Sequence, residues 1–131
     1  MGSLIDSSIF IAIERGRADF EGRLSSLTEV CLSAVTAAEL LHGVHRATSA
    51  TRRAAREAMV EATLATFPVL PFDLDSARHH ARIASDLAGR GTPVGSHDLL
   101  IAATALAHRH RVITLDGRSF PKIPGLDVDV W

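Results

Sequence analysis

Gly2-Ser3-Leu4-Ile5-Asp6-Ser7-Ser8-Ile9-Phe10-Ile11-Ala12-Ile13 decides the fold, because it passes from a short apolar run through an acid and two serines into a second apolar cluster. The pattern reads as a strand, Gly2 to Ile5, that ends at Asp6 and gives way to a helix beginning near Ser8. Asp6 then stands at the strand's carboxyl end. Working outward, residues 18–27 suggest a second short helix, and Val30-Cys31-Leu32 reads as a second strand ending at Ser33. Val35, Ala38, Leu41 and Val44 repeat at amphipathic-helix spacing, and Val60, Leu64 and Phe67 mark one stripe of a further helix over 50–67. The two prolines of Pro68-Val69-Leu70-Pro71-Phe72 suit an edge strand. Asp73-Leu74-Asp75 is a good N-cap region for a helix that Gly89 and Gly91 stop. Ser96 to His110 is apolar on nearly every side and reads as a buried helix; Arg111 to Leu115 reads as a strand ending at Asp116-Gly117, and Leu126 to Val130 as a last strand.

Strands separated by crossovers of a dozen or more residues, several of them helical, imply parallel pairing with helices on both faces. The expected fold is a three-layer α/β/α sandwich around a mostly parallel sheet of four to five strands, in a single domain over residues 1–131. With 131 residues, 47% of them hydrophobic, the chain can build one core without staples. No apolar run approaches the roughly 20 residues of a membrane span. The start lacks a signal peptide's basic and apolar segments, so a soluble, cytoplasmic protein is expected. Cys31 is the only cysteine, which excludes an intrachain disulfide and leaves it as a small buried hydrophobe. A net charge of −1 excludes a strongly basic nucleic-acid coat protein. Thirteen of the 14 cations are arginine, a bias that GC-rich coding explains without any RNA contact.

Ligands of such sheets bind beyond the carboxyl ends of the strands, where this topology gathers Asp6, Glu39, Asp98 and Asp116. Each acid has a structural use by itself. Asp6 can cap the helix that follows it. Glu39 completes the capping-box spacing Thr36-x-x-Glu39. Asp98 sits in the first turn after a Ser96 cap, where a negative charge suits the helix dipole. Asp116-Gly117 is a common turn pair. Their conjunction is harder to explain, since carboxylates side by side take up protons unless a counter-charge is present. A hard divalent cation supplies it, and an all-oxygen cluster favours Mg²⁺, or Mn²⁺, over Zn²⁺. Metal-assisted hydrolysis of phosphodiester bonds is the chemistry this predicts.

Rival chemistries lack their residues. A phospho-acceptor receiver needs a lysine at the end of a late strand, but the sole lysine, Lys122, lies between Pro121 and Pro124. An aspartyl phosphatase requires an acid where Ser8 stands, and no glycine-rich phosphate loop is present. A non-catalytic α/β binding module stays open.

At Leu4-Ile5-Asp6-Ser7-Ser8, Thr36-Ala37-Ala38-Glu39-Leu40 with Gly43, Asp98-Leu99-Leu100-Ile101-Ala102-Ala103, and Thr114-Leu115-Asp116 with Phe120 and Gly125-Leu126, the chain resembles the PIN-domain ribonucleases, and especially the VapC-type toxins of bacterial toxin–antitoxin pairs. The segments occur in the family's order and span nearly the whole chain. The resemblance implies a metal-dependent endoribonuclease, commonly dimeric and held inactive by a cognate antitoxin in a hetero-oligomer, with RNA as substrate. A non-toxin PIN nuclease of RNA processing is the alternative within the family. By position Asp6, Glu39, Asp98 and Asp116 correspond to the family's acidic metal-site residues, with Ser7 and Thr114 supporting them. Many relatives carry a further acid just before the Phe matching Phe120, where this chain has Ser119, which bears on whether a second metal binds.

Seven histidines include His42-x-x-His45 and His108-x-His110, but no third ligand completes a zinc pattern. His97, beside Asp98, together with Arg15 and Arg90 on predicted loops near the acids, are candidates to meet substrate phosphate. Arg46, Arg52, Arg53 and Arg56 read as a solvated face, with Arg53 and Glu57 paired at i, i+4.

Overall fold

A computed structural model describes all of residues 1–131. Five strands, β1 (Ser3–Ile5), β2 (Val30–Ser33), β3 (Val69–Leu70), β4 (Arg111–Thr114) and β5 (Val128–Val130), pair in parallel throughout in the order β3-β2-β1-β4-β5. Six helices connect them: α1 (Ser7–Glu14), α2 (Ala18–Ser25), α3 (Ala34–His45), α4 (Ala50–Thr66), α5 (Leu74–Gly89) and α6 (Ser96–His108). The three-layer sandwich expected from the crossover lengths is the fold observed, with β3 on the edge where its prolines placed it.

Period-two alternation along the strands divides the core between the two faces. Leu4, Cys31 and Val112 point to one side and pack with Ile83 and Leu87 of α5, Ile101 of α6, and Phe120. Ile5, Leu32 and Ile113 point to the other and pack with Ile9, Phe10, Phe20, Leu40 and Val60 from α1 to α4. A fully buried Leu, Ile or Phe side chain stabilises by ~1.5–3 kcal/mol, so both layers are needed to hold so short a set of strands together. Cys31 is buried, and that burial pushes its thiol up to about 11, as an inert core residue requires. None of the helices is long and apolar enough to cross a membrane.

From β1 the chain builds outward through β2 to β3, then returns to the opposite side of β1 to add β4 and β5. The reversal leaves a crevice beyond the ends of β1 and β4. Two contacts differ from the sequence reading. Arg53 donates to the Ala47 carbonyl at 3.0 Å rather than pairing with Glu57, because the chain turn before α4 brings that carbonyl within reach. Arg56 donates through Nε to Glu14 at 2.8 Å and through Nη1 to the Gly43 carbonyl at 2.9 Å, tying α4 to α1 and α3.

Candidate active site

Asp6 follows the last residue of β1 and occupies the N-cap position of α1, yet its side chain caps nothing. Its Oδ2 instead accepts from Ser8 Oγ at 2.7 Å and from Thr114 Oγ1 at 2.8 Å. The two hydroxyls that steer it are held in turn: Ser8 Oγ accepts from the Leu115 amide at 3.1 Å, and Thr114 Oγ1 from the Asp116 amide at 2.9 Å. Ends of β1 and β4 are thereby stitched around one carboxylate. Ser7, expected to support Asp6, is buried at the edge of a cavity that Glu39 also lines, and the adjacent Ser8 makes the bond.

Glu39 is also free of the structural use its spacing suggested. Helix α3 begins earlier than a Thr36 cap requires: Ser33 is the N-cap and accepts from the Thr36 amide at 3.0 Å, leaving Glu39 in the second turn. Its Oε1 is buried without a hydrogen-bond partner, while Oε2 lies 3.8 Å from His97 Nδ1. Burial first, and then the charges of Asp6 and Asp98, push the Glu39 carboxyl above the usual range, with His97 opposing them.

Asp98 lies in the first turn of α6, whose N-cap is Gly95 rather than Ser96. Burial, then the negative charges of Asp6 and Asp116, raise its carboxyl, against the opposing influence of Ser119 and His97. Asp116 keeps part of its turn role, since Oδ1 accepts from the Arg118 amide at 2.8 Å and the Ser119 amide at 3.0 Å. Those amides, Ser119's first, hold it below the usual carboxylate range.

Four acids from β1, α3, α6 and the end of β4 thus act on one another at the crevice. Burial, with the charges of neighbouring acids added to it, raises two of them, and Glu39 Oε1 is buried without a partner. No three or more His, Cys, Asp or Glu side chains are arranged to hold a metal ion as they stand. Mg²⁺ binds proteins through one or two carboxylates and keeps several waters, so it would not require a closed all-protein cage here. The hard oxygen donors and the unsatisfied Glu39 atom fit such an ion.

Of the other candidates, His97 flanks Glu39, and Arg15 lines a cavity beside it. Arg90 caps α5 and pairs with Asp86 at 3.2 Å, so its guanidinium is engaged on its own helix. Ser8, the hydroxyl that bonds Asp6, was missed, and Arg46, read as part of a solvated face, lines the cavities beside Glu39. A hydroxyl two residues after a strand-end Asp was the available sign of Ser8; Arg46 carried none beyond its charge.

A parallel sheet whose carboxyl edge gathers acids from four elements is chemically able to hold a divalent ion for phosphodiester hydrolysis. The family profile of the PIN domain matches residues 3–126. Ribonuclease VapC1 of Rickettsia felis is 38% identical over 128 residues, 98% of this chain and 95% of that protein. The tRNA(fMet)-specific endonuclease VapC of Salmonella typhimurium is 34% identical over 104 residues, 79% of this chain and 76% of that protein. The crystal structure of VapBC-5 from Mycobacterium tuberculosis, a member of the VapBC family of toxin–antitoxin systems, superposes with a TM-score of 0.75 at 34% identity, covering 98% of this chain and 95% of that one. The chain belongs to the PIN-domain family and, within it, to the VapC ribonucleases.

Proposed function

We propose that this chain is the toxin of a toxin–antitoxin pair and cleaves RNA internally by divalent-metal-dependent hydrolysis, with Asp6, Asp98 and Asp116 as metal ligands and Glu39 binding directly or through water. The buried, unpartnered Glu39 Oε1 at the crevice where Ser8 and Thr114 hold Asp6 carries the site assignment, and burial together with neighbouring negative charge raises both Glu39 and Asp98. Mg²⁺, or Mn²⁺ in its place, supplies a lowered water pKa and positive charge at the developing anion. The protein's own part is positional. Ser8 and Thr114 fix the Asp6 carboxylate, and two backbone amides fix that of Asp116. His97, exposed beside Glu39, is our candidate to meet substrate phosphate. Arg90 is the weaker candidate because Asp86 neutralises it.

The name of the Salmonella relative makes tRNA the first substrate to try. The VapBC-5 complex supports an antitoxin partner, and a homodimer of the toxin within that assembly is part of the same reading. Purified protein is incubated with total RNA, with Mg²⁺ or with chelator, beside Asp6→Asn and Asp98→Asn. Cleavage that needs Mg²⁺ and is lost in both variants is expected, and mapped cut sites name the target. Equal cleavage by the variants sinks the site; no metal-dependent turnover leaves a binding module.

A further inference from the structure

Beyond the acids, a face of α3 and a face of α1 line a common groove. Glu39, Gly43 and Arg46 fall at i, i+4 and i+7 along α3 and its C-cap, and Ser7, Ile11 and Arg15 at i, i+4 and i+8 along α1 and its C-cap. One cavity, of about 430 Å³, includes Ser7, Glu39, His42, Arg46 and His97; a second, of about 190 Å³, includes Glu14, Arg15, Glu39, Arg46 and Arg56. Sharing Ile11, Glu39 and Arg46, they form one groove. At a rise of 1.5 Å per residue it extends about 10 Å from Glu39 to Arg46.

The three guanidinium groups here are not equivalent. Arg56 is committed to Glu14 and the Gly43 carbonyl. Arg15 and Arg46 form no ion pair, although Glu14 and Glu39 line the same cavity. Each ends a helix, where a cation suits the dipole, but that use does not call for both to line one groove leading to the carboxylates. With Glu14 neutralised by Arg56, Arg15 and Arg46 leave the far end of the groove positive and Glu39 its near end negative.

We propose that this groove carries the RNA backbone on one side of the cut, with Arg15 and Arg46 holding a backbone phosphate beyond the one attacked. The proposal rests on the ribonuclease reading above. With a divalent ion among the carboxylates the attacked phosphate would have its counter-charge, and a second phosphate on the same strand, bound by a planar guanidinium fork, adds an independent hold on the backbone. A polyanion repeating at each nucleotide is the ligand able to engage both ends of the groove at once.

Steady-state cleavage of a short single-stranded RNA with Mg²⁺, at several salt concentrations, tests it. Arg15→Ala/Arg46→Ala raises KM roughly tenfold or more, with a much smaller effect on kcat, and Arg46→Lys recovers part of the loss. The slope of log affinity against log salt falls by about 0.7 for each phosphate contact removed. Arg78→Ala/Arg82→Ala takes the same two charges from α5 and leaves KM in place; circular dichroism verifies that both variants fold. The groove assignment is overturned if the α1/α3 variant matches wild type in KM and salt slope, or if the α5 control shifts as far. It is equally overturned if RNA cleavage is kept while affinity for the antitoxin protein falls, which gives the groove to a protein. A wild-type protein that cuts no RNA with metal overturns the ribonuclease reading and this proposal together, and is seen before any variant is made.

Discussion

Thr114 Oγ1 donates a 2.8 Å hydrogen bond to Asp6 Oδ2 across the seam between β4 and β1, joining residues 108 positions apart. The same hydroxyl accepts from the Asp116 amide, so one fully buried atom sets the positions of two acids. Thr114→Val keeps the shape and removes both bonds. Activity falls roughly 10–100-fold, as for other residues that orient metal ligands. Stability falls by about 1–3 kcal/mol, because the Asp116 amide and Asp6 lose a partner. Cleavage rates and thermal unfolding measured on one preparation separate the two effects; a rate within twofold of wild type removes Thr114 from the positioning role.

The strands, the helices and the four acids were legible because each has a local sign: period-two or helical hydrophobic spacing, or an acid at a strand end or first helical turn. The hydroxyl partner was not, because Ser7 and Ser8 are adjacent and only the phase of α1 decides which one faces Asp6. Glu39's capping box was misread because Ser33, three residues before Thr36, is itself a good N-cap and takes the Thr36 amide first. Arg56 joins Glu14 from 42 positions away, and no local pattern encodes such a contact.

Glu39 and Asp98 each contribute to the metal-free protein a pH dependence opposite in sign to that of Asp116. Both carboxyls are raised in the folded state, so between the unfolded and folded values the native protein binds more protons than the unfolded chain. Their contribution is therefore most favourable at acid pH and is lost as pH rises through the folded values. At neutral pH Glu39→Gln and Asp98→Asn each unfold at a higher temperature than wild type in chelator. Mg²⁺ narrows the difference by stabilising wild type more. A lower melting temperature for both variants in chelator contradicts the raised carboxyls.

Arg56 is a structural test of the groove's floor. It is half-buried and bonds both Glu14 and the Gly43 carbonyl, so Arg56→Ala removes the polar ties of α4 to α1 and α3 while the buried Val60 keeps α4 packed. The expected loss is about 1–2 kcal/mol, since the partners remain partly wet. Arg56→Lys restores only part of it, because a single ammonium does not reproduce the fork. Urea unfolding of the two variants measures this; equal midpoints for Arg56→Ala and wild type show the contacts to be ornamental.

Ser119→Asp tests how many ions the crevice can hold. The Ser119 amide bonds Asp116 Oδ1, and the Ser119 side chain moderates the charges of both Asp98 and Asp116. Ser119→Asp puts a fifth carboxylate at this spot, where the resemblance to the PIN-domain ribonucleases implies an acid in many relatives. Without metal the added charge raises the Asp98 carboxyl further and lowers the neutral-pH melting temperature. With metal the same charge becomes a ligand, so half-saturation by Mn²⁺ falls and the stoichiometry from calorimetry rises from one ion towards two. Should the variant bind metal no better than wild type while still losing stability in chelator, the fifth acid is too far from the crevice to ligate, and a single ion, completed by RNA oxygens, is the resting complement of this site.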